Sequence, residues 1–444
     1  MEMKKKLMSL PSALLKGKKS LIPSLFFAIS CLAFQACSKT SHSSNDEPIV
    51  SMQLLDRNGF SETISSKDRL ENYQKVDFSQ PQPYEKVLRI FGKDEQKKSK
   101  STITSYHSNG YLWQYLEIID GRANGIFREY FPTGVLKIQA HVIEGMGDVS
   151  EKAQLSWLFE GKNEVYDELG KISAEIQYEK GSLQNTSYYY YPSGKIWKTI
   201  PYKDNEIHGV LTILHEDGSL LESIEYQNGK KHGSALGYWK DSKPRYIEAY
   251  QNDLLNEASY FDPQGNLLGK IEEGDGKQYV FEEEKLYSTI QHKKGAAEGR
   301  VEIFHKNGSL SHFYTVRDGQ KNGEEWHYYP SKEKEKPKLF LFWHEDAIQE
   351  VKTWYENGVM ESQKRLNHNK KHGLSVAWFA DSSVMFLETY EQDKLIKASY
   401  FEKGSKNPAS TIENGKGVAM IYNHDGHFIK KIMYDKGIPV SEFY

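Results

Sequence analysis

The chain has 444 residues, with 58 Lys plus Arg against 61 Asp plus Glu and a formal net charge of −3. That balance leaves no basic excess to neutralise a phosphate backbone, so no nucleic-acid partner is expected. Aromatic residues reach 13%, too many for a disordered polar chain, and the only two cysteines, Cys31 and Cys37, exclude a disulfide scaffold or a cysteine zinc site downstream.

The first segment reads as an address. Lys4, Lys5, Lys6, Lys16, Lys18 and Lys19 precede a mostly apolar run, Leu21 to Phe34, and polar sequence begins at Ser38. A positive start, a short apolar middle and a small residue before a break make a secretory signal over residues 1–36. At about 14 residues the run is shorter than a membrane-spanning helix. With Cys37 at its end it resembles a bacterial lipoprotein signal, which implies cleavage before Cys37 and lipid attachment there. An ordinary cleaved signal with an incidental cysteine is the other reading. Removing six lysines and one glutamate takes the net charge from −3 to −8. Residues 37–50 read as a flexible polar tether, and 51–100 as an irregular β segment.

From residue 101 to 444 the chain repeats itself. Tight-turn positions recur every 24 residues: Gly181, Asn205, Gly229 and Asp253 form one series, and Gly121 to Gly145, Gly295 to Gly319, and Asn369 to Asp393 keep the same step. Glycine is replaced there only by Asn or Asp, the residues that best tolerate a left-handed backbone, so φ is expected to be positive. A second glycine follows four residues later, at Gly125, Gly209, Gly233, Gly299, Gly323 and Gly373, and is read as part of the same turn. A third series, including Gly110, Gly134, Gly218, Gly308 and Gly358, marks the opposite turn, with an aromatic residue usually four places earlier. The segments between turns are short and rich in Tyr, Ile, Leu and Trp. Each unit of about 24 residues therefore reads as a β-hairpin. The expected fold is all-β: an elongated, single-layer, solenoid-like antiparallel sheet of stacked hairpins.

Segments such as YQNGKKHG (226–233), FHKNGSL (304–310) and LNHNKKHG (366–373) resemble the MORN-repeat variant of bacterial proteins. The resemblance covers roughly residues 101–444. Some proteins with these repeats are labelled antitoxins of the YwqK type, but a cytosolic antitoxin needs no export signal, so Leu21–Cys37 argues against carrying that label over.

Catalytic chemistry is scarce. No HExxH, P-loop, GxGxxG or GxSxG pattern occurs, and near-equivalent units leave no unique place for a site. No enzyme activity and no cofactor are expected. His208, His232 and His372 recur beside the turns, but residues two strands apart lie about 10 Å from each other, so local bonding is favoured over a metal. Trp326, Tyr328, Tyr329 and Trp343, beside the charged loop Ser331 to Lys338, are the candidate partner-binding residues. The expected function is a membrane-anchored envelope lipoprotein whose array is a scaffold for a protein partner. A module for glycan or anionic lipid is the alternative.

Overall fold

A computed structural model describes residues 48–93, 96–331 and 334–444. The signal segment and Cys37 lie outside the described residues. Among the described residues every strand pairing is antiparallel, and strands pair with their sequence neighbours in an open sheet of stacked hairpins. Most strands run eight or nine residues, longer than the six that the spacing of turns suggests, because each strand continues into the flanking turn residues. Among the described residues, two single-turn helices, Lys67–Leu70 and Glu151–Gln154, interrupt the β-structure.

The described residues divide into two compact units, one of residues up to 196 with 202–206, the other of 197–201 with 207–444. In the first unit the strand Ile49–Asp56 lies between Ser61–Ile64 and Tyr84–Lys93. It takes in the last two residues read as tether, because Ile49 is buried with Met52, Ile64, Val87 and Phe78 in a local core. Such side chains contribute about 1.5–3 kcal/mol each when fully buried. A second core gathers Leu116, Phe127, Val142 and Trp157. Trp157 closes the insertion after Gly145, its indole N–H donating to Met146 O at 2.9 Å. Gly145 keeps a positive φ of 128° but heads this insertion instead of a two-residue turn.

In the second unit two cores recur at a step of 140 residues, or 141 for the last isoleucine. One holds Leu255, Ala258, Tyr260 and Ile271; the other holds Leu395, Ala398, Tyr400 and Ile412. At both, successive turns lie against each other. Gly295 N donates to Gly274 O, and Gly437 N to Gly415 O, each at 2.9 Å. A Cβ on Gly274 or Gly415 would collide with that neighbouring backbone, so the packing requires glycine.

Candidate functional site

The 24-residue turns are built from paired left-handed residues. Asn228 and Gly229 have φ of 49° and 76°, Asn252 and Asp253 52° and 70°, and His368 and Asn369 49° and 65°. Positive φ at both central positions is the type I′ geometry that matches strand twist. Asn and Asp add something glycine cannot. Asp253 N donates to Lys231 O while its Oδ1 accepts from Lys231 N, at 2.9 and 2.8 Å. Asp393 brackets Lys371 in the same way, at 2.9 and 2.7 Å. Each such turn is thereby clipped to the start of a strand in the preceding unit.

The second glycine series is not part of the turn. Gly209 opens the strand Gly209–Leu214, and Gly233, Gly323 and Gly373 lie inside the strands that follow, where the ladder slips by two residues. They occupy β-bulges with φ of 113°, 97°, 103° and 85°. At Gly233 and Gly125 the space left by the missing side chain is filled from the preceding strand, while at Gly373 it stays open. Glu225 lies against Gly233 and accepts from Ser234 N at 3.1 Å. Glu117 does the same at Gly125, accepting from Ile126 N at 2.8 Å. A bulge frees a backbone N–H, and the carboxylate satisfies it. The recurrent histidines sit beside these bulges. His208 Nδ1 lies 3.2 Å from Asn228 Oδ1 in the turn of the next unit. Among the described residues no group of three His, Cys, Asp or Glu side chains is arranged around a common point.

Three bulges are followed by a buried carboxylate, and these are the chemically distinctive places of the second unit. Glu248 accepts from Tyr260 at 2.7 Å, Tyr250 at 3.0 Å and Gln278 at 3.0 Å. Glu388 accepts from Tyr400 at 2.8 Å. In both copies a lysine ammonium covers the neighbouring ring: Lys231 lies 4.7 Å above Tyr250, and Lys371 4.5 Å above Tyr390. The third station transposes the parts. Glu248 and Glu388 pair across the ladder with Ala235 and Ser375. At the matching pair the carboxylate, Glu325, stands on the first strand and Leu341 on the second. Glu325 accepts from Lys321 Nζ, Trp343 Nε1 and His327 Nε2, all at 2.7 Å.

The transposition changes the electrostatics. Burial would raise the Glu325 carboxyl, but hydrogen bonds from His327 and Lys321, the Lys321 charge and the Trp343 N–H outweigh it and hold the group down at about 2. At Glu388 burial dominates. Bonding to Tyr400 and Tyr390 and the charge of Lys371 offset it only in part, so that carboxyl is pushed up.

The four candidate partner residues do not form one patch. Directly paired residues share a face of the sheet. Trp326 pairs with Phe313 and Phe340, whereas Trp343 shares the face of Glu325 and Leu341, so Trp326 and Trp343 point to opposite sides. Tyr328 lies near Phe313, with centroids 6.5 Å apart. The Tyr329 hydroxyl donates to Trp354 O at 2.8 Å. The face that carries Trp326 holds instead a row missed in the sequence. Trp326 stacks on Trp354 at 5.5 Å and packs on Phe340 at 4.7 Å. Arg300 lies 3.6 Å above Phe313 and Lys352 4.9 Å above Phe340. Phe313, Phe340 and Trp354 were each visible as strand aromatics, but only the ladder register aligns them.

A family model described as the MORN repeat variant matches residues 123–143 and 183–204. At these two places the chain carries the MORN repeat variant. The first match runs from the bulge at Gly125 through the turn at Gly134, so the repeat corresponds to the hairpin geometry described above. No curated protein matches the chain. Among solved structures, a chain of the crystal structure of TcdB2-TccC3-Cdc42 is similar at 12% identity, over 83% of this chain and 24% of that one, with a TM-score of 0.15. This chain thus spans about a quarter of that chain's length, and at that TM-score nothing about fold or function follows.

Proposed function

We propose that the chain is a non-catalytic repeat scaffold of the bacterial envelope, anchored by lipid at Cys37, that holds a protein partner on the face bearing Trp326. The observation that supports this most is the stacked pair Trp326 and Trp354, half-buried beside the buried rings of Phe313 and Phe340, with Arg300 over Phe313 and Lys352 over Phe340. Large rings with cationic margins on an extended strand surface suit protein recognition better than small-molecule chemistry. The anchor rests on the signal-like run before Cys37. In a crosslinking pull-down, the full chain should retain a partner that the double variant Trp326→Ala, Trp354→Ala loses. Equal capture by both would remove the row from the reading. Labelled palmitate should enter the wild type and not Cys37→Ala.

A glycan-binding role is the second reading. Tyr111, at the end of a turn, and Trp113, at the start of the strand Leu112–Ile119 that follows, are 44% and 41% exposed. Sedimentation with cell-wall polymers at low salt, wild type against Trp113→Ala, separates the two readings.

A further inference from the structure

His312 and His327 belong to neighbouring strands, Leu310–Arg317 and Gln320–Tyr329, and are directly paired. Their rings lie face to face, with centroids 4.7 Å apart and planes 9° from parallel. Two imidazoles held this way accept one proton far more readily than two, because like charges at that distance repel strongly.

The surroundings decide which ring is left without an anion. From the strand Gln320–Tyr329, His312 faces Lys321, Glu325 and His327; from the adjacent turn, His305; from its own strand, Tyr314 at 6.4 Å. Across the ladder stand only Ile303 on one side of His312 and Leu339 beyond His327. Glu325 is the single carboxylate of this group, and its oxygens are already committed. Oε1 receives His327, while Oε2 receives Lys321 and Trp343. His312 has only Ser311 Oγ, 3.3 Å from its Nδ1. A proton on His327 strengthens an existing bond. A proton on His312 adds a cation beside His327, Lys321 and His305 with no anionic acceptor, only the neutral Ser311 Oγ.

We propose that His312 and His327, set around Glu325, form an acid-sensitive latch: protonation of His312 loosens the strands Leu310–Arg317 and Gln320–Tyr329, and with them the face that carries Phe313 and Trp326. Burial and the His327 charge both lower the His312 titration from its ordinary value. The sign follows from linkage. A histidine depressed in the folded state contributes stability that is present above its unfolded value of about 6.5 and is lost as pH falls through the folded one. Glu325 acts in a separate window, because its contribution is lost only between the ordinary glutamate range and about 2. Acidification to pH 5.5 therefore tests His312 and spares Glu325. The latch does not depend on the partner proposed above.

The test is hydrogen exchange by mass spectrometry on the full chain at pH 7.5 and 5.5, corrected for intrinsic exchange. Protection of peptides from 310–329 should fall at least threefold relative to peptides from 246–260 in the same molecule. His312→Asn, which cannot take the proton, should show no such fall. An unchanged ratio in the wild type, or an equal fall in the variant, overturns the latch. Should the variant not fold, nitrogen-15 histidine NMR of the wild type gives the answer directly. His312 must titrate below about 6.5, and a midpoint at or above that value also overturns the proposal.

Discussion

The stations at Glu388 and Glu325 use the same bulge, the same overlying lysine and the same aromatic partner position, yet their carboxyls are shifted in opposite directions. At Glu388 the donors are phenols, and the lysine reaches Tyr390 Oη at 3.3 Å and acts on the carboxylate only from a distance. At Glu325 the lysine and a histidine bind the carboxylate itself. Moving the acid across one rung of the ladder converts a hydroxyl-bonded buried acid into an ion-paired one. Burial is similar in both, since Glu325 is 4% and Glu388 8% exposed. Burial raises both carboxyls, and only the charged partners at Glu325 outweigh it.

The largest effect is therefore expected at Glu325. Glu325→Ala leaves Lys321, His327 and Trp343 without their common acceptor and opens a cavity. Breaking a buried ion pair on one side costs about 3–5 kcal/mol, and the half-exposed lysine places this case near the lower end. Urea unfolding at pH 7 should show a loss of about 3 kcal/mol. Wild-type stability attributable to this carboxylate should be intact above the ordinary glutamate range and vanish as pH falls towards 2. A loss below 1 kcal/mol would mean that the ion pairs are solvated and that the two stations are alike.

A second pair of variants tests how closely the 140-residue copies match. Gly233 and Gly373 are equivalent bulge residues with φ of 97° and 85°. An added Cβ at Gly233 would run into the Glu225 carboxylate, whereas at Gly373 it meets nothing within 4 Å. Gly373→Ala then carries only the left-handed backbone penalty, about 1–2 kcal/mol. Gly233→Ala should cost about 1 kcal/mol more, because it also frees the Ser234 N–H from its carboxylate acceptor. Equal losses, read from thermal melting, would show that Glu225 swings away freely.

These contrasts mark what the sequence discloses. The type I′ turns were legible because only Gly, Asn and Asp occupy left-handed positions cheaply. The bulges were not, because a glycine four residues after a turn looks like more turn. Their signal is a second spacing: Glu117 precedes Gly125, Glu225 precedes Gly233 and Gln291 precedes Gly299 by eight residues each. The 140-residue duplication was also readable, in KKHG and ASYF recurring at 230–233 and 370–373 and at 258–261 and 398–401. A search tuned to the 24-residue step passes over it. The opposite facing of Trp326 and Trp343 was not readable. It depends on ladder register across a loop whose length carries no information about pairing.

A smaller loss is expected where a turn is clipped to its neighbour. Asp253→Gly keeps the backbone geometry but removes the acceptor for Lys231 N. That N–H sits near the surface, where water replaces most of the bond, so the loss should be about 0.5–1 kcal/mol by urea unfolding. The same change at Asp393, which accepts from Lys371 N at 2.7 Å, should match it within error. Unequal losses would mean that the two copies differ outside their carboxylate stations.

The smallest effect carries the sharpest sign. Glu388 titrates above the ordinary glutamate value because burial outweighs its hydroxyl partners. For an acid raised in the folded state, the unfolded chain releases its proton first as pH increases. Folding is therefore weakened progressively from the unfolded value upward, and the penalty is complete above the folded one. Glu388→Gln keeps an acceptor for Tyr400 and removes the charge. Its stability relative to wild type should be unchanged at pH 4 and should rise by up to about 1 kcal/mol by pH 8. The same substitution at Glu325 should destabilise at pH 8 and converge on wild type towards pH 2. Curves of the same sign at both sites would show that transposing the acid across the ladder has no electrostatic consequence.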